Sequence, residues 1–119
     1  MGKKKSSNYP IKMRVPLFNC ATILFFNNPT EAIAHVEKIS GQKFKLDGHD
    51  GFEWKYETKD NVFIFLAVFD KSAATLAHEA AHAAFEICDI VQTKVSEDRD
   101  NETFCYLLQR IMEKFLPHL

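Results

Sequence analysis

The stretch VFIFLAVFDKSAATLAHEAAHAAFEICDIV, running from Val62 to Val91, decides how this chain folds. Its opening run, Val62 to Phe69, is apolar at every position and far too short to cross a bilayer, so it predicts a strand covered on both faces. Ser72 then offers a hydroxyl to cap a helix that the pattern carries to about Val91. On a helical wheel Leu76, Ala77, Ala80, Ala84, Ile87 and Val91 fill one broad arc, while His78, His82, Phe85 and Asp89 gather opposite. The alanines from Ala73 to Ala84 make this helix narrow and suited to close approach by its neighbours. No lysine falls between Lys71 and Lys94, so the histidine side lacks the alternating charges of a merely solvated face.

Reading outward, Phe52, Trp54 and Tyr56 alternate with Glu53, Lys55 and Glu57, a strand with one aromatic face. The turn Lys59-Asp60-Asn61 joins it to the apolar strand as a hairpin. Asn28-Pro29-Thr30-Glu31 combines a cap, a proline at the first helical position and a glutamate three residues after the cap; the helix runs to about Ser40, with Gly41 as its left-handed stop. Ile11, Met13, Val15 and Leu17 alternate with Lys12, Arg14 and Pro16 as an edge strand, and Ala21 to Phe26 forms another. Past the polar connection Gln92 to Asp100, with Asp98 or Asp100 as cap, a last helix reaches about Leu116 on the stripe Phe104, Leu107, Leu108, Ile111 and Phe115. The expected class is α+β: a small, mostly antiparallel sheet packed on one side by three helices, with residues 1–10 a flexible lead-in and 11–119 a single domain.

With 119 residues, 46% hydrophobic and 26% charged, the chain has an ordinary globular composition and enough length for a modest core. A formal net charge of −1 argues against a nucleic-acid partner held by bulk electrostatics. Positive charge is dense only at Lys3-Lys4-Lys5. Met1 to Ser6 fits the bare N-myristoylation pattern, but no apolar leader or membrane span is apparent, so no membrane association is expected. Cys20, Cys88 and Cys105 are odd in number and unpaired by spacing, which favours buried thiols in a reducing, cytoplasmic setting.

Within the deciding stretch lies His78-Glu79-Ala80-Ala81-His82. Two histidines four apart on a helix project from one face and can bind a single Zn²⁺, while the glutamate between them points slightly aside, placed to take a proton from a metal-bound water. A third ligand is required, and Glu102 is the candidate downstream. Such a site leaves one position open for water, the arrangement hydrolytic zinc sites use. Glu79 would act as general base and pass the proton to a leaving amine, and the apolar strand before the helix could offer an edge to an extended peptide.

The motif followed by Asn101-Glu102 resembles the gluzincin type of zinc metallopeptidase, and the interval from His82 to Glu102 is similar to that of thermolysin-like enzymes. The resemblance covers roughly residues 29–116 and implies a minimal zincin-like domain. It implies Zn²⁺ held by His78, His82 and Glu102, Glu79 as general base, and a peptide or protein as substrate. The family's pattern places an aspartate four residues after the ligand glutamate to orient a metal-binding histidine; Tyr106 stands there, leaving Asp89 or the Tyr106 hydroxyl as substitutes. His49 is either a loop histidine or an oxyanion stabiliser, and Cys105, one turn after Glu102, is a rival ligand. Two further readings stay open: a non-catalytic interaction module with a structural or regulatory zinc site, and a metal-free helper domain.

Overall fold

A computed structural model describes residues 9–97 and 100–119, so most of the expected lead-in, and Asp98 as a candidate cap, lie outside the described residues. Strands β1 (Ile11–Arg14) and β2 (Thr22–Phe26) are followed by helix α1 (Pro29–Ser40). The hairpin β3 (Gly51–Glu57) and β4 (Val62–Val68) precedes helices α2 (Ala73–Ile90) and α3 (Glu102–Phe115), and a short 3₁₀ turn, Leu116–His118, ends the chain. The four strands form one mixed sheet in the order β1-β2-β4-β3. β1 pairs antiparallel with β2 and β3 with β4, while β2 and β4 run parallel. The α+β class is therefore the observed one.

Strand alternation divides the interior in two. Ile23 and Phe25 of β2 and Ile64 and Leu66 of β4 turn toward α2 and α3, where Leu76, Ala80, Ala84, Leu107 and Ile111 join them. Leu24 and Phe26, with Phe65 and Ala67, turn the other way, toward Ala32 and Val36 of α1. The helices thus occupy both faces, α1 on one and α2 with α3 on the other, and not a single side as the sequence suggested. The cause is β4: apolar on both sides and paired with β2 and β3, it needs a cover above and below. It also cannot serve as the peptide-binding edge expected of it. The edge is β3.

Local chemistry sets the boundaries. The Asn28 side chain accepts from the Glu31 amide at 3.1 Å, and Gly41 closes α1 at φ 73°. Ser72 Oγ accepts from the Thr75 amide at 3.2 Å and starts α2. β1 stops at Arg14, short of the expected Leu17, because Leu17 and Asn19 adopt φ of 69° and 50° to turn the chain into β2. α3 is preceded by Asn101 at φ 57°, whose side chain ties back to Ser96 instead of capping the helix: Oδ1 accepts from the Ser96 amide and Nδ2 donates to the Ser96 carbonyl. The cap position belongs to Asn101 and not to Asp100. No described helix is long and apolar enough to cross a membrane.

Candidate metal centre

α2 lies under the β3 edge of the sheet, and three matched positions describe the seam between them. Gly51 opens β3 against Thr75: a Cβ there would stand 2.5 Å from the Ala67 carbonyl oxygen and 3.0 Å from Thr75 Cγ2. Only glycine lets β3 start this close to the β4 backbone and to the first turn of α2. Further along, the Glu53 carboxyl feels the charges of both Glu79 and Glu86. Near the far end, Lys55 Nζ stands 3.7 Å from Glu86 Oε1. Phe52, Trp54 and Tyr56 meanwhile point to the α1 face. The polar members of β3 therefore face α2, not open water.

On the outer side of this seam His78 and His82 are exposed and Glu79 is half-buried. One ligand atom from each of His78, Glu79 and His82 lies within 4.8 Å of the others. The two rings meet edge to face, with centroids 5.0 Å apart. Two imidazoles and a carboxylate in one cluster are a donor set that suits a borderline divalent cation, and this group could bind a metal. Burial pushes the Glu79 carboxyl above the usual carboxylate range, against the opposing pull of His78, His82 and His49. His49 and Asp50 border the same recess, of about 390 Å³, with Gly51, Thr75, His78 and Glu79. His49 is thus an exposed loop residue that belongs to the site's surroundings.

Glu102 does not join this cluster. It is the first residue of α3, exposed, and no set of three within 4.8 Å includes it among the described residues. The helices that carry the histidines and Glu102 do meet: Phe85 of α2 and Phe104 of α3 pack with tilted rings, centroids 4.5 Å apart. That contact is made one turn beyond His82, which brings the start of α3 beside α2 without placing its carboxylate against both rings. The Tyr106 hydroxyl accepts from Arg110 Nη1 of its own helix at 2.8 Å. Asp89 is exposed and lines a separate groove with Phe85 and Gln92. Cys105 is exposed and outside the cluster, whereas Cys88 is buried and Cys20 half-buried, so the expectation of buried thiols fails at Cys105.

Glu53 and Glu86 escaped the sequence reading. Glu53 sits between Phe52 and Trp54, so alternation alone assigns it to the wet side of a half-exposed strand. In the structure its Oε2 is shut off from solvent with no hydrogen-bond donor against it. Desolvation first, and then the neighbouring Glu86, push its carboxyl up to about 8. The available signal was the pair Glu53 and Lys55 on one strand face with Glu79 and Glu86 a helical seven apart. No protein-family model, curated protein or solved structure matches this chain, so its chemistry is read from the site itself.

Proposed function

We propose that the chain is a zinc-dependent metallopeptidase of the gluzincin type, hydrolysing peptide bonds. The observation that carries this reading is the gathering of His78, Glu79 and His82 within 4.8 Å on a helix face beside the edge of a sheet. His78 and His82 would each hold the metal through a ring nitrogen. Glu102 is the third ligand we assign: as an exposed side chain at the first position of α3, it can swing toward α2 without disturbing the core. A bound zinc supplies Lewis acidity toward a substrate carbonyl and acidifies water. Glu79 accepts the proton of the attacking water and passes it to the leaving amine as the C–N bond breaks.

β3 pairs on one side only, with β4, among the described residues. Its outer edge suits an extended peptide, whose main chain would run beside α2. A peptide on this open edge would come from exposed, flexible segments of other proteins in a cytoplasmic setting. Replacing Glu79 by Gln tests the assignment. Cleavage of a peptide library should fall by at least about 100-fold, the scale general-base catalysis contributes, while bound zinc and folding stay at wild-type values.

One observation favours a second reading, a protein-interaction module that keeps a metal for stability or regulation. Glu102 stands outside the cluster of His78, Glu79 and His82. That reading predicts a Glu79→Gln protein indistinguishable from wild type in every assay.

A further inference from the structure

The face of the sheet opposite the histidines is only partly covered. α1 packs Ala32 and Val36 onto Leu24, Phe26, Phe65 and Ala67, leaving the β1 end open. Register puts Lys12 opposite Leu24 and Arg14 opposite Thr22, and β2 in turn sets Thr22 beside Phe63. Between this surface and the last turns of α1 lies a recess of about 560 Å³, within the roughly 300–1,000 Å³ usual for small-molecule sites. Its floor is apolar: Leu24, Ile39 and Phe63.

Its rim is cationic. Lys12, Arg14, His35 and Lys38 border it, and none of its lining residues carries a carboxyl group. Lys12 and Lys38 make no ion pair among the described residues. Arg14 is held in place by neutral acceptors alone: Nε donates to Asn19 Oδ1 at 2.7 Å, Nη2 to the Asn19 carbonyl at 2.6 Å and Nη1 to Thr22 Oγ1. Its charge is oriented but not compensated. Of the four, only His35 makes an ion pair among the described residues, with Glu31 at 3.9 Å. In a chain of net charge −1, this concentration of unpaired positive charge over an apolar floor is a local exception.

We infer that this recess binds a small amphipathic anion, an aliphatic monocarboxylate whose tail lies on Leu24, Ile39 and Phe63 and whose head is held by Lys12, Arg14 and Lys38. A neutral ligand would leave the cations unanswered, and a compact inorganic anion would leave the floor exposed. The site stands apart from the histidine cluster, on the other side of the sheet, and does not depend on the metallopeptidase reading.

The test is calorimetric titration of the full chain with decanoate below its micelle concentration, with decanol and decyltrimethylammonium as matched tails. Methyl NMR shifts report where each ligand sits. Decanoate should bind one per chain, with shifts confined to Leu24, Ile39 and their neighbours. Decanol should bind at least about tenfold more weakly, and the cationic tail not at all. The double variant Lys12→Glu/Lys38→Glu changes two exposed side chains. It should weaken decanoate at least about tenfold while its thermal unfolding remains cooperative. The assignment is overturned by absence of saturable decanoate binding, by equal binding of decanol, or by an unaffected double variant.

Discussion

Glu53 on the edge strand and Glu86 on α2 face each other across the seam, and burial together with the Glu86 charge raises the Glu53 carboxyl to about 8. Ionising Glu53 here is costly, first because burial removes the water that would screen its charge and then because Glu86 repels it. Lys55, 3.7 Å from Glu86, offsets part of the repulsion.

This pair makes stability depend on pH with a definite sign. The Glu53 carboxyl is raised from 4.5 to about 8 in the fold, so between those values the folded chain holds a proton that the unfolded chain has released. Stability therefore falls as pH rises through that window and levels off above it. Glu53→Gln keeps the shape of the protonated acid and removes the cost. Solvent reaches part of the pair, so the gain is about 1–2 kcal/mol at pH 8.5 and close to zero at pH 5. Urea unfolding at both pH values measures it, and an equal effect at the two would contradict the raised Glu53 carboxyl.

Gly51→Ala should destabilise by about 1–3 kcal/mol, because its new methyl meets backbone and not a flexible side chain. The obstacle is the Ala67 carbonyl oxygen, 2.5 Å from where that methyl carbon would stand, with Thr75 Cγ2 at 3.0 Å behind it. Relief requires the start of β3 to shift away from β4 and from Thr75 of α2, which also moves the strand relative to His78 and Glu79. Weaker zinc binding should accompany the stability loss. A Ser72→Ala control, which removes the cap at Thr75, should cost about 1 kcal/mol without the same loss of metal affinity.

Much of this architecture is legible in the residues. The cap, proline and glutamate from Asn28 to Glu31 give α1 its start, and Gly41 gives its end, because these signals are local and each answers one unpaired backbone group. The two-sided burial of β4 follows from its apolar run. Which side each helix takes does not, since a strand apolar on both faces carries no label for either. The same gap hid Glu53, whose surroundings are decided by where α2 docks. The histidine cluster is readable because a four-residue helical interval fixes it. Glu102 depends on the approach of a second helix after a long polar connection, and its position is the part that spacing alone does not determine.

Phe85→Ala tests how that second helix matters. Phe85 is 50% exposed yet packs against Phe104, so its loss costs little core but loosens the start of α3. If Glu102 closes the site, zinc affinity should drop about tenfold or more with a stability change near 1 kcal/mol. Isothermal titration with zinc reads the first quantity and thermal unfolding the second. Unchanged affinity in both Phe85→Ala and Glu102→Ala would remove Glu102 from the ligand set.

Elemental analysis of tag-free protein purified without chelator bears most directly on the central assignment. Near one zinc per chain is expected in the wild type and in Glu79→Gln, and almost none in His78→Ala or His82→Ala. A wild-type protein with no stoichiometric metal, or histidine variants that keep it, would contradict the metal centre and the peptidase built on it.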